Sequence, residues 1–116
     1  MKFKLIMALV AEDRTDDVLQ AAREAGATGA TVVTRVRGEG IEPEKTFLGL
    51  ELAGQRDLLM FLVAEQLSRD ILETICSIGQ FDDKPGSGIA FQLGIEDAVG
   101  LSSQLRAISE EIVDQL

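Results

Sequence analysis

Two stretches of this chain are apolar at almost every position, Leu5 to Ala11 (LIMALVA) and Leu58 to Ala64 (LLMFLVA). A half-exposed strand alternates apolar with polar, so the loss of alternation predicts two strands covered on both faces, the first beginning at Phe3. Each run is followed by apolar residues at helical spacing. After the first come Val18, Leu19, Ala22 and Ala25, with Asp13 or Thr15 as candidate cap, Asp16 and Asp17 in the first turn and Gly26 as a left-handed stop. After the second come Ile71, Leu72, Ile75 and Cys76, with Ser68 as candidate cap and Gly79 as the stop. β-Branched density predicts a strand over residues 28–37 (TGATVVTRVR), and residues 89–93 (IAFQL) read as a fourth strand that continues weakly to Leu101. Ser102 or Ser103 then opens a last amphipathic helix, about residues 103–115, with Leu105, Ile108, Ile112 and Leu116 on one face and Glu110, Glu111 and Asp114 opposite.

Strand–helix–strand occurs twice, joined by a long connection. This order predicts an α+β fold, a ferredoxin-like βαββαβ sandwich of four antiparallel strands with two helices on one face, in a single domain over residues 1–116 with an extra C-terminal helix. The connection between the second and third strands, residues 38–55, opens GEGIEPEKTF. Connections in compact domains are usually ~4–6 residues, and unstructured ones beyond ~12–15 are commonly functional, so an arm that touches a ligand or partner is expected rather than a bare hairpin extension. Two helices cover only one face of the sheet. Leu and Met on the other would form a patch well above the ~300–600 Å² of a typical monomer. A second copy of the same sheet is the simplest cover, which predicts a homo-oligomer; the final helix is the competing cover.

Composition narrows the chemistry. The net charge is −9, which argues against nucleic acid and against an anionic membrane surface. The chain has no His, which removes His-activated nucleophiles and the usual zinc and iron ligands, and its single Cys excludes an internal disulfide or a multi-Cys metal cluster. No metal site and no enzymatic activity are expected. The apolar run after Met1-Lys2-Phe3 stops at Glu12, too short to span a bilayer and without a cleavage site, so a cytoplasmic protein without membrane insertion is expected.

Two loops carry candidate chemistry. Gly38 and Gly40 open the arm and would let backbone N–H groups approach an anion, although Gly-x-Gly alone is a weak signal. The second loop, Asp82-Asp83-Lys84-Pro85-Gly86-Ser87-Gly88, joins Gly-Ser-Gly to a lysine. Gly86, Ser87 and Gly88 can present N–H donors and a hydroxyl to phosphate or carboxylate, with Lys84 adding charge that Asp82 and Asp83 offset. The alternative is a plain helix-to-strand turn. Cys76 reads as an inert core thiol, Met7 and Met60 as core, and the carboxylates around Asp13 as surface charge at a helix start.

In element order and in three short patterns the chain resembles the PII signal-transduction family over residues 3–101. The patterns are AGATGATV (residues 25–32), RGEG (37–40) and KPGSGIAF (84–91). It looks more like a divergent PII-like protein than a standard nitrogen regulator. The resemblance implies a homotrimer that binds an adenine nucleotide between subunits and regulates a partner, such as a membrane transporter, through the arm, the counterpart of the family's T-loop. Thr28 and Thr31 match the threonines at the start of the second strand, Gly38 and Gly40 the arm's glycine-rich entry, and Gly86, Ser87 and Gly88 the phosphate-facing loop. The chain departs from the family as well. It has no Tyr, so uridylylation of an arm tyrosine is excluded. Ile89 stands where the family has a basic residue, Gly100 and Ser102 near its two late arginines, and Met60 near a strand glutamate. Each lost charge-assisted contact is worth ~1.5–3 kcal/mol, so AMP or ADP is expected in preference to ATP. A constitutive ferredoxin-like interaction trimer, similar to the CutA-like relatives, is the alternative.

Overall fold

Strand β1 (Phe3–Ala11) runs through the middle of a four-stranded sheet and decides how everything else is arranged. The computed structural model describes residues 2–36, 46–47, 50–51, 55–84, 86–101, 106 and 108–110. After β1 a single 3-10 turn (Glu12–Arg14) leads into α1 (Thr15–Glu24) and strand β2 (Thr31–Val36). Two short strands, β3 (Thr46–Phe47) and β4 (Leu50–Glu51), pair with each other within the predicted arm. Then come β5 (Arg56–Ala64), α2 (Glu65–Gly79) and β6 (Gly88–Gly94). The sheet order is β2-β5-β1-β6, with β5 antiparallel to both β1 and β2, and β6 antiparallel to β1. Each helix therefore crosses from one strand to a parallel strand two places away, the ferredoxin-like arrangement expected from the sequence.

Register sorts the apolar runs onto two faces, because residues directly opposed in a ladder share a side. Ile6, Ala8 and Val10 of β1 face the helices together with Leu59, Phe61 and Val63 of β5, and pack on Val18, Ala22, Leu67, Ile71 and Ile75. On the other side Leu5, Met7 and Leu9 stand opposite Leu62, Met60 and Leu58 of β5 and Leu93, Phe91 and Ile89 of β6. Thr31 and Val33 of β2 extend two of these rows. Neither α1 nor α2 packs on this second face, where Phe91 is 41% exposed, Leu93 47% and Val33 40%. Met7 and Met60 thus belong to the open face and not to the core. This corrects the reading of both as core, because a strand apolar on both sides does not show which side meets the helices.

Both helices end in the same hydrogen-bonded device. At α1, Ala27 N–H donates to Ala22 O (3.0 Å) and Gly26 N–H to Arg23 O (3.1 Å), with Gly26 at φ +120. At α2, Phe81 N–H donates to Cys76 O (3.1 Å) and Gln80 N–H to Ser77 O (3.2 Å). These are paired Schellman closures, which place one residue in the left-handed region. In α2 that residue is Gln80 (φ 57), not the expected Gly79. Gly79 sits one place earlier, where a Cβ would collide with the Phe81 ring, the nearest atom of which is Cε1.

Other local expectations shift for similar reasons. Helix α2 begins at Glu65, and Ser68, expected as its cap, is a buried residue of the first turn donating to Glu65 O (2.9 Å). Thr15 opens α1 without capping it: its hydroxyl donates to Asp57 Oδ2 (2.6 Å), a buried cross-element contact between α1 and β5. Replacing Asp57 by Ala is expected to lower stability by about 1–3 kcal/mol, the cost of stranding the buried Thr15 hydroxyl, measured by urea unfolding; Asp57→Asn keeps an acceptor and retains most of it. The predicted strand continuation to Leu101 is absent: the ladder ends with Ile95 N–H on Phe3 O (3.2 Å), and residues 95–101 are irregular. Of the predicted last helix, Arg106 and residues 108–110 are helical and Ile108 is buried; its other positions lie outside the described residues.

Candidate functional site

The loop from Gln80 to Gly88 leaves the end of α2 and enters β6 at one end of the sheet, beside the start of β5. Gln80 O accepts two bonds, from Lys84 N–H (3.0 Å) and from Ser87 Oγ (2.9 Å). Ser87 N–H donates to Lys84 O (3.1 Å). The loop therefore closes on itself as a compact turn. Ser87, singled out as an anion donor, uses both its N–H and its hydroxyl within that turn. Gly86 takes a left-handed φ of +79, open to glycine at low cost, and its carbonyl accepts from Arg56 Nη2 (2.9 Å). A Cβ on Gly88 would lie 2.7 Å from Leu9 O and against the Phe81 ring. Lys84 is exposed at the rim.

Arg56 begins β5 where the arm returns to the sheet, and this root is held at several points. Glu12 N–H donates to Gln55 O (3.1 Å), Arg56 reaches Gly86, and the neighbouring Asp57 accepts from Thr15. At the other root, β2 loses register between Val33 and Val36, with Arg35 at φ 58. Such a bulge twists an edge strand and redirects the chain beyond it. Gly38 and Gly40 lie outside the described residues.

The remaining candidates sit elsewhere. Thr31 starts β2, one edge of the sheet, whereas Gly88 starts β6, the other edge. Three strand spacings, ~14 Å, separate those edges. Thr31 is also out of line along the strands: it pairs with Met60, which is level with Met7 and then Phe91. Thr28 precedes β2, and its Oγ1 is buried without a hydrogen-bond partner among the described residues. One chain thus does not bring the threonines to the Gly86–Gly88 turn. The sequence could show both clusters but not their separation.

Cys76 is not a core residue. It is half-buried on the flank of α2, where its thiol donates to Asp82 Oδ2 (3.4 Å). Burial, followed by the bond to Asp82 and that carboxylate's charge, pushes the thiol above its ordinary pKa. Alkylation by iodoacetamide at pH 7.5 is expected to be several-fold slower than that of glutathione. Asp82→Asn is expected to speed it by removing two of the raising influences; equal rates in the two proteins would show that burial alone controls the thiol. Among the described residues no group of acidic, His or Cys side chains could hold a metal ion, and no helix is long and apolar enough to cross a membrane.

Comparison with known proteins accords with this geometry. The family model for nitrogen regulatory protein P-II matches residues 3–104. The nitrogen regulatory protein GlnK2 of Haloferax mediterranei is 33% identical over 101 residues, covering 83% of this chain and 80% of its own. Two solved structures share the fold. CPII of Thiomonas intermedia K12 bound to ADP, AMP and acetate has a TM-score of 0.60 and 17% identity, over 83% of this chain and 90% of its own. The apo form of the same nitrogen regulatory PII-like protein has a TM-score of 0.62 and 17% identity, over 82% and 90%. With the family model covering nearly the whole length, and with β1, β5 and β6 framing the glycine turn in the expected places, the chain belongs to the nitrogen regulatory protein P-II family.

Proposed function

We propose that this protein is a homotrimeric regulator in which the open sheet faces meet at the centre and an adenine nucleotide binds between neighbouring copies. The observation that carries this reading is the separation of the candidate residues. Thr28 and Thr31 at the β2 edge and Gly86, Ser87 and Gly88 at the β6 end come together only if one copy's β2 edge adjoins another's glycine turn. The apolar face defined by Leu5, Met7 and Leu9 supplies the reason for copies to associate. The Thr28 hydroxyl, unpaired among the described residues, supports a contact made from outside the chain, since leaving a buried polar group unpartnered costs ~1–3 kcal/mol. That a solved structure of CPII is bound to ADP and AMP supports the choice of ligand class.

In this mechanism the phosphates meet Lys84 and the backbone of Gly86–Gly88, with the arm's Gly38 and Gly40 as further backbone donors. The arm then changes its fit to a protein partner, such as a membrane transporter. Signalling requires that the nucleotide bind the two arm states with different affinity. The protein acts by binding rather than by turnover, in the cytoplasm, with no covalent cofactor. Asp82 and Asp83 offset Lys84, and Ile89 adds no charge beyond the turn, which leaves Arg56, held on Gly86 O, as the other cation beside it for a triphosphate.

Isothermal titration of the purified protein with AMP, ADP and ATP tests the proposal. AMP and ADP are expected to bind, with ATP at least several-fold weaker, and Gly86→Val is expected to abolish binding by blocking close backbone approach. Absence of heat with all three nucleotides would remove the effector. One observation favours a second reading, a constitutive CutA-like interaction trimer: the N–H and hydroxyl of Ser87 are both spent inside the turn. Partner affinity that ignores nucleotides would select it.

A further inference from the structure

Gln80 occupies the left-handed closing position of α2 without being glycine, whereas α1 fills the same position with Gly26. A side chain there is disfavoured unless something holds it. The holder is visible: Arg14 Nη2, from the turn before α1, donates to Gln80 Oε1 at 3.1 Å in a half-buried contact. Gln80 is also the hub of the glycine turn, because its carbonyl accepts from both Lys84 N–H and Ser87 Oγ. The backbone angles of Gln80 aim that carbonyl, and the carbonyl sets where Lys84 and Ser87 stand. Phe81, the next residue, lies against Gly79 and Gly88 and ties the same backbone to the start of β6. From the far side Arg56 holds Gly86 O.

We infer that Arg14 is a positioning residue for the effector site: by gripping Gln80 it fixes how Lys84 and Gly86–Gly88 meet an anion, without touching the anion itself. The inference rests on the nucleotide reading above and adds to it a residue that lies 66 positions away from its partner in the chain. A side-chain handle gives a control that glycine lacks. A glycine at position 80 adopts the left-handed angles by itself, whereas Gln80 keeps them only while its amide is held.

A double-mutant cycle with two readouts tests this. In the unliganded protein, amide exchange at Lys84 and Ser87 is expected to accelerate about tenfold in Arg14→Ala and to be partly restored in Arg14→Lys, which still offers a donor. In the Gln80→Gly background Arg14→Ala is expected to change exchange at these amides by less than twofold. Titration with AMP and with ADP is expected to show the same pattern, an affinity loss of about tenfold on Arg14→Ala that is equal for the two nucleotides and absent in the Gln80→Gly background. Unchanged exchange in Arg14→Ala overturns the inference. So does a loss that grows from AMP to ADP or persists in Gln80→Gly, since either would make Arg14 a direct phosphate contact. If the wild-type protein binds no nucleotide, the functional reading fails, and the amide exchange alone decides whether Arg14 shapes the turn.

Discussion

Replacing Met7 by Asp is expected to leave the protein a single subunit at micromolar concentration, where the wild-type chain is expected to sediment as a trimer. Met7 is at the middle of the open sheet face, flanked by Met60 and Phe91 across the ladders and by Leu5 and Leu9 along its own strand. A carboxylate there would be drawn out of water without a partner whenever two faces meet, and the penalty for an uncompensated charge is several kcal/mol at each site. A trimer brings three such charges together and adds their mutual repulsion. In the separated chain Met7 is only half-buried, so the same carboxylate can reach solvent and the subunit can keep its fold. Sedimentation velocity and circular dichroism together measure both parts. Nucleotide binding should disappear with the trimer, because the threonines and the glycine turn then have no neighbour to meet. A Met7→Asp protein that remains trimeric would show that this face is not the interface, and the proposed site between copies would lose its basis.

Gly88→Ala is expected to destabilise the fold by about 3 kcal/mol, near the upper end for overpacking a well-packed site. Its Cβ would meet the Phe81 ring and, at 2.7 Å, the Leu9 carbonyl oxygen. A ring edge can rotate, but a backbone oxygen in a strand ladder cannot move without breaking β1 pairing. At Gly79 the three nearest atoms all belong to the Phe81 ring. A cycle with Phe81→Ala therefore separates the two positions. Most of the cost of Gly79→Ala should vanish in that background, and a substantial part of the cost of Gly88→Ala should remain. The experiment also divides two readings of the glycine-rich turn. If Gly88→Ala lowers nucleotide affinity without loss of stability in urea, the glycine serves ligand approach; the packing around it points instead to a role in the fold, with Gly86 the glycine left for the ligand.

The parts of the fold that local pattern specifies were legible in the residues. Leu5–Ala11 and Leu58–Ala64 announced strands covered on both sides, and the helical stripes after them placed α1 and α2. The errors were local competitions between groups able to play the same role. Gly79 and Gln80 compete for the left-handed closure of α2; the bulk of Phe81 takes the space that only Gly79 leaves open, and Gln80 is left with the strained angles. Ser68 looks like a cap, yet Glu65 starts the helix earlier. The candidate site was legible as two clusters. That they lie on opposite edges follows from the strand order of the ferredoxin-like fold and from no local spacing.

What the residues alone determined is the four strands of the main sheet, the two helices between them, the two-faced apolar character of β1 and β5 and the long connection between β2 and β5, since each follows from the pattern within a few residues; the β3–β4 pair within that connection does not. Tertiary structure alone decided which apolar residues face the helices and which face outward, because a strand apolar on both sides carries no label for its direction. It alone decided the contacts Arg14–Gln80, Thr15–Asp57 and Arg56–Gly86, which join residues far apart in the chain through hydrogen bonds that either partner could have made elsewhere. Those long-range choices give the glycine turn its shape, and they arise only once the sheet order has brought the ends of β1, β5 and β6 together.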